Sequence, residues 1–285
     1  MKIVNFFKYE GLGNDFIIID ALENSTNLKL FSNDQNLVRR ICDRRFGIGA
    51  DGLILLLPPD RNGIAKMEIF NSDGSIAEMC GNGIRCLVNF IHSHTEIKIE
   101  QNIIIETRAG DIISSLKIDN MVSVNMGIPF FEPSRIPTTI KSTKGSVPHQ
   151  TISIESKDID IYAVGMGNPH MVIFFDTLDN LPFKRLGTLL ENHPNFPQKT
   201  NVHFAQVINP TKIKMKTWER GCGATLACGT GACGTLAVSS KLGLSESKAE
   251  LMLPGGSLFI NWPDSTKSIY MTGPALQVYE GKITL

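Results

Sequence analysis

The chain has 285 residues, 42% of them apolar, which is enough for one large domain or two smaller ones and far from a disordered composition. Lys+Arg and Asp+Glu balance at 28 each, so no net field draws the protein to nucleic acid or to an anionic membrane. No apolar run approaches the ~20 residues of a membrane helix, and the N-terminal MKIVNFFKYEGLGNDF lacks the apolar core and cleavage site of a secretory signal, so a cytoplasmic protein is expected. Six cysteines (Cys42, Cys80, Cys86, Cys222, Cys228 and Cys233) are too sparse for a secreted disulfide framework. They are buried apolar residues, metal ligands or reactive thiols.

In chain order, GLGNDFIIID from Gly11 is a glycine turn followed by a β-branched strand. QNLVRRICDRRFG reads as an amphipathic helix outside a sheet, and GLILLL and KMEIF as strands bounded by Gly, Asn and Asp turns. Cys80-Gly-Asn-Gly then opens an apolar helix, GIRCLVNFIHSH, and NIIIET returns as a strand. The polar, Pro-rich FFEPSRIPTTIKSTKGSVPHQ after Phe130 is expected to join two halves and carry loop insertions. Beyond it the elements recur in the same order. GMGNPHMVIFFD from Gly165 echoes the first turn and strand, and KMKTWERGC from Lys214 echoes KMEIFNSDG from Lys66. Cys228-Gly-Thr-Gly stands 148 residues after Cys80-Gly-Asn-Gly and opens the helix GACGTLAVSSKLG. ELMLPGGSL and YMTGPA echo IIIETRAGD and VNMGIP. Five matches in register make an internal duplication. The expected fold is α+β: two pseudo-symmetric lobes, each a largely antiparallel β-sheet or barrel wrapped around a central helix. The lobes should span 1–124, completed by 274–285, and 125–273. A cleft between such lobes is the default place for a ligand.

A Gly-x-Gly turn at a helix start leaves backbone N–H groups unpaired, and with the helix dipole they form an anion site suited to a carboxylate. The same field lowers the pKa of a cysteine placed there. Cys80 and Cys228 each occupy that position. Two matched thiols about a pseudo-twofold axis are what a racemase or epimerase needs: one removes the α-proton and the other returns a proton to the opposite face. Cys86, Cys233 and Cys42 read as packing residues, and Cys222, in a glycine loop, as exposed. Three other readings compete. A zinc or redox protein favours C-x₂-C pairs, whereas the spacings here are longer. An acyl-transfer nucleophile would need a base such as His170, and leaves the second matched cysteine unexplained. A non-catalytic binding module explains neither thiol.

The signatures GLGNDF, CGNGIRC, GMGNPH, WERGCGATLACGTGAC, LPGGSL and YMTGPA together resemble the diaminopimelate epimerase family over the whole chain. Its wider superfamily includes proline racemases and PhzF-like isomerases, and a proline racemase-like amino-acid racemase is the alternative. The resemblance implies interconversion of LL- and meso-2,6-diaminopimelate without a cofactor, in lysine and peptidoglycan precursor synthesis. It implies Cys80 and Cys228 as the catalytic pair, with the amides of Gly81-Asn82 and Gly229-Thr230 on the reacting carboxylate. It implies Asn14, Asn71, Asn168, Asn201, Glu219 and Arg220 as further substrate contacts, and His170 and Glu219 as groups that tune the thiols. Glu219 and Arg220 would answer the ammonium and carboxylate of the distant amino-acid end. A homodimer is also implied, with Tyr279 at its interface, and neither nucleic acid nor membrane as partner. Two positions depart from the family pattern: Gly52 stands where some members carry a substrate-binding glutamine, and Ala224 where others have glutamate.

Overall fold

The computed structural model describes residues 2–23, 30–31, 34–99, 101–142, 146–154 and 157–285, the side chain of Ile118 excepted. Contacts divide the chain into two units, Met1–Asn125 with Thr272–Leu285, and Met126–Met271. No helix among the described residues is long and apolar enough to cross a membrane.

In the first unit β1 (Ile3–Gly11) and β2 (Asn14–Asp20) form a hairpin. Its two-residue turn, Leu12-Gly13, has positive φ at both positions, 60° and 80°. That geometry matches the twist of the flanking strands, and glycine adopts it without strain. After α1 (Gln35–Cys42), β3 (Gly52–Leu57) pairs parallel with β2. The antiparallel β4 (Ala65–Asn71) and the short β5 (Ile76–Ala77) follow. Then come α2 (Gly81–His94), β6 (Ile103–Thr107) parallel to β4, and the antiparallel β7 (Gly110–Leu116) and β8 (Val122–Asn125).

The continuous apolar runs have a direct cause, since these strands are covered on both faces. Ile17, Ile19, Leu53, Leu55 and Leu57 pack with Leu37, Val38 and Ile41 of α1. The alternate residues Ile54 and Ile69 reach Gly83 of α2 on the other side. Helix α2 touches β1, β2, β3, β4, β7 and β8, and its residues Asn82 to Ile91 are all buried, as expected of a helix enclosed by a sheet.

The second unit repeats this plan. Here β9 (His149–Ile154), β10 (Lys157–Gly165) and β11 (Pro169–Phe174) run antiparallel, and α3 (Phe183–Glu191) precedes β12 (Asn201–Asn209), which is parallel to β11. The antiparallel β13 (Lys212–Glu219) and short β14 (Gly223–Thr225) lead to α4 (Gly229–Lys241). Then β15 (Lys248–Leu253) lies parallel to β13 and β16 (Gly256–Asn261) antiparallel to β15. Helix α4 packs against β10, β11, β12, β15 and β16. On the opposite face Leu186 and Leu190 of α3 join Ile161, Met171, Ile173, Val202 and Phe204. Within β17 (Tyr270–Gly273) the chain re-enters the first unit, where β18 (Leu276–Thr284) pairs antiparallel with β1.

The α+β class and the central helices match the sequence expectation, and the parallel pairs β2–β3, β4–β6, β11–β12 and β13–β15 sharpen it. A parallel pair needs a crossover, and helices α1 to α4 lie in such crossovers. The segment after Phe130, expected as a polar joining loop, differs more. It belongs wholly to the second unit, buries Ile136 and Ile140 in the α3-side core, and is tied by bonds from the Thr138 hydroxyl and Thr139 N–H to the Asn195 carbonyl. Its prolines conceal an apolar i, i+4 pair. Residues 143–145 of the same stretch lie outside the described residues.

Candidate active site

Cys80 and Cys228 occupy the same local geometry. Each is the extended residue before a helix, with φ −142°, ψ 118° at Cys80 and φ −134°, ψ 108° at Cys228. The helical ladders begin with Ile84 N–H to Cys80 O and Ala232 N–H to Cys228 O, both 2.9 Å. The N–H groups of Gly81 and Asn82, and of Gly229 and Thr230, therefore lie ahead of the first intrahelical bond, where the positive end of the helix dipole favours an anion.

In the first unit the helix start is fixed to a strand turn. Asn82 is buried and its Oδ1 accepts from Arg85 Nη1 at 2.9 Å, while Arg85 Nε donates to Pro274 O. The Arg85 guanidinium also lies against Gly11, where an added Cβ would approach Nη2 to 3.1 Å. Gly11 closes the hairpin that carries Asn14, so the Cys80 turn and Asn14 are held by one arginine. Asn14 opens β2, Gly52 opens the parallel β3 and Asn71 ends the antiparallel β4, which puts all three at one end of the sheet. Asn71 donates to Ser75 Oγ at 2.9 Å within its turn. Gly52, the departure from the family pattern, has no room for a side chain: its Cβ would lie 2.6 Å from the Phe70 carbonyl oxygen.

The second unit has the same three positions with different occupants. Asn168 precedes β11, Asn201 opens β12 and Glu219 ends β13. Asn201 is buried, accepts from the Arg220 N–H at 3.0 Å and donates to Pro169 O at 2.9 Å. It ties together the strand ends that present Asn168 and Arg220. The exposed Arg220 donates from Nη1 to Gln198 O. Glu219 accepts from the Thr225 hydroxyl at 2.6 Å and lies close enough to the Cys228 thiol for each to shift the other's pKa. Cys228 accepts from the Gly231 N–H at 3.4 Å and lies 3.6 Å from Thr230 Oγ1. Ala224, the second departure, is an exposed residue of β14.

The Cys228 thiol does not follow the expectation of a lowered pKa. Burial pushes it well above its ordinary value, and the neighbouring Glu219 charge pushes it further. The bonds from Thr230 and Gly231 oppose this but do not prevail. Burial and the neighbouring carboxylate thus favour the thiol form at Cys228. Glu219 is itself raised, by burial, against the bonds from Thr225 and Cys228.

Tyr279 lies on β18 rather than at these strand ends. Its ring meets Phe6 edge-on, its hydroxyl donates to Ile48 O, and it lines an open hollow with Lys8, Asp15 and Arg44. Cys86, Cys233 and Cys42 are buried and Cys222 is exposed, as the sequence suggested. No group of three or more His, Cys, Asp or Glu side chains among the described residues is placed to hold a metal ion.

Three residues of this neighbourhood escaped sequence reasoning. Glu191 accepts from Trp218 Nε1 at 2.8 Å and from the Gly221 N–H at 2.9 Å, bracing the Glu219-Arg220-Gly221 turn. Asp15, next to Asn14, pairs with Lys8 and Arg44, both at 2.7 Å, and despite its burial these cations hold its carboxyl well below the usual range. His203 has its ring against Gly231 at the start of α4. The alternation of NVHFAQV marks its strand but not its contacts.

The model of the diaminopimelate epimerase family matches residues 6–131 and 162–278. The chain belongs to the diaminopimelate epimerase family. It is 47% identical to the diaminopimelate epimerase of Prochlorococcus marinus strain NATL1A over 281 residues, covering 99% of both chains. The diaminopimelate epimerase of Carboxydothermus hydrogenoformans is 45% identical, with 99% of this chain and 100% of the relative covered. Among solved structures, a PhzF-family phenazine biosynthesis protein of Bacillus anthracis superposes with a TM-score of 0.70 at 16% identity, over the full length of both chains. A hydroxyproline epimerase from Agrobacterium vitis gives 0.66 at 15% identity, covering 99% of this chain and 93% of its own. Likeness at such identity concerns the fold.

Proposed function

We propose that the protein is a diaminopimelate epimerase that interconverts the LL and meso isomers with Cys80 and Cys228 as a two-base pair. The observation that carries this reading is the duplicated cysteine at a helix N-terminus, at equivalent places of two like-built units in a chain of this family. One sulfur as thiolate takes the α-proton from its face, and the other as thiol gives a proton to the opposite face. The S–H bond formed on the first balances the one broken on the second, and the product leaves the pair in the reversed protonation state. The chemistry calls on the two thiols and no cofactor. The amides of Gly81, Asn82, Gly229 and Thr230 hold the reacting carboxylate and stabilise the charge that gathers on it in the carbanion. Asn14, Asn71, Asn168, Glu219 and Arg220 hold the rest of the substrate, and Asn201 contributes through the Arg220 and Pro169 backbone. Glu219 tunes Cys228 by direct contact, and His170 acts through Asn168.

The enzyme is proposed to work as a cytoplasmic homodimer through β18. That strand pairs with β1, and its Leu276, Val278 and Tyr279 are 55%, 55% and 43% exposed. Apolar side chains left exposed along one strand suit a protein contact. Light scattering should report twice the chain mass, and Tyr279→Ala should shift it toward monomer.

The activity is tested by incubating purified protein, stripped of pyridoxal phosphate and metal, with LL-diaminopimelate or proline. Formation of meso-diaminopimelate with little turnover of proline is expected. Turnover of proline alone would assign the racemase activity instead.

A further inference from the structure

Beneath the Cys228 helix, four polar side chains form a chain whose far end, His203 and Thr217, has no part in the two-thiol chemistry. Thr217 Oγ1 lies 3.2 Å from His203 Nδ1, His203 Nε2 lies 2.8 Å from His170 Nδ1, and His170 Nε2 lies 2.7 Å from Asn168 Oδ1. Both imidazoles are fully buried and Thr217 is 1% exposed. The proton positions follow from the partners. The Asn168 carbonyl oxygen can only accept, so the nitrogen facing it is Nε2–H. A neutral His170 then has Nδ1 as an acceptor, and His203 must answer it with Nε2–H. His203 Nδ1 is left to accept from the Thr217 hydroxyl. Burial holds both rings neutral: His170 is lowered well below its ordinary value, and His203 to about 3. All three bonds therefore run one way, from Thr217 to Asn168.

The ring of His203 is also seated against the catalytic helix. A Cβ on Gly231 would come within 2.1 Å of His203 Cε1, so only glycine at the third residue of α4 admits it. Gly231 is the residue whose N–H donates to Cys228 Sγ.

We propose that His203 is a positioning residue: by donating to His170 Nδ1 it keeps His170 in its Nε2–H form, and so turns the Asn168 amide with its NH₂ group toward the carboxylate of the substrate. This rests on Asn168 being a substrate contact. Asn168 and Arg220 flank His170, and Arg220 is close enough to act on it electrostatically. An NH₂ group beside that guanidinium suits an anionic group and an amide oxygen does not. Without the His203 donor, His170 is released to carry its proton on Nδ1. Its bare Nε2 would then draw the Asn168 NH₂ inward and leave the oxygen facing the carboxylate.

The experiment combines ring ¹⁵N NMR of histidine-labelled protein with steady-state kinetics of His203→Leu, His203→Gln and Thr217→Val. In the native protein both rings should show one protonated and one bare nitrogen, with Nε2 protonated. His203→Leu should raise KM for diaminopimelate by on the order of tenfold, the scale of one hydrogen bond to a charged group, with a smaller change in kcat. His203→Gln keeps a side-chain N–H donor and should recover most of the loss. Thr217→Val leaves the His203 donor in place and should give the smallest change. A protonated Nδ1 on His170 in the native protein overturns the proposal, and so does a His203→Leu variant that loses thermal stability while KM is unchanged. The NMR arm needs no turnover, so it stands apart from the assignment of substrate. Failure of Asn168→Ala to change KM would count against the substrate contact, while the tautomers would still test the relay.

Discussion

The turns at Cys80 and Cys228 share a backbone and differ in what surrounds the sulfur. At Cys80 the residue is half-buried and its sulfur does not cap the helix, and the Asn82–Arg85 pair braces the turn. At Cys228 the residue is 5% exposed, and its sulfur caps the helix through Gly231 beside Glu219. The strand ends differ likewise. Gly52, with no room for a side chain, stands where the second unit has Asn201, and Asn71 stands where it has Glu219. A duplicated scaffold has thus kept the anion-binding helix start twice while burying one thiol beside a carboxylate and leaving the other half-buried. An epimerase working on an unsymmetrical carbon has use for that difference, since one thiol must hold a proton when the other does not.

The largest effect expected is on the thiols themselves. Cys80→Ser and Cys228→Ser should each lower kcat by about 10²–10⁴-fold, the contribution of a positioned general acid or base. Full activity in either variant would break the equivalence of the two turns. Glu219→Gln should act on one side only. In the direction in which Cys228 donates its proton it is needed as a thiol, and that form is lost as pH rises through its elevated pKa. Removing the Glu219 charge lets the thiolate form at lower pH, so the alkaline limb of the rate profile should move down. Burial alone would still hold it above the ordinary thiol range. An upward or absent shift would contradict the pairing of Glu219 with Cys228.

Glycine substitutions sharpen the comparison at smaller scale. Gly231→Ala drives a Cβ into the buried His203 ring and should cost about 1–3 kcal/mol in urea unfolding, as overpacking does. Its counterpart Gly83→Ala meets the methyl tips of Ile54 and Ile69 at 3.1 and 3.3 Å, which can shift, and Cys80 Cβ at an ordinary 3.5 Å. That change should cost well under ~1 kcal/mol, since alanine also favours the helix. Equal losses at the two glycines would mean that the helix starts are packed alike.

The duplication, the central helices and the paired thiols were legible because each leaves a local signature: a glycine turn, an apolar period, a matched offset. Helix α3 was not, because its apolar face rests on Leu186 and Leu190 within the short, Pro-led FKRLGTLLE. The resting state of Cys228 was legible only in half. The helix start is local, but the burial and Glu219 that outweigh it come from the fold and from the neighbouring strand end. His203 shows the limit most plainly. One strand residue in an ordinary alternation becomes part of the site only because Gly231, 28 residues later, leaves a place for its ring.

The most direct test of the two-thiol account is α-proton exchange from deuterium oxide, measured separately for LL- and meso-diaminopimelate in Cys80→Ala and Cys228→Ala. Each variant keeps the base on one face only. The account predicts that one variant exchanges the α-proton of the LL isomer and the other that of the meso isomer, both without inversion. Exchange of the same isomer by both variants, or continued inversion in either, would contradict it.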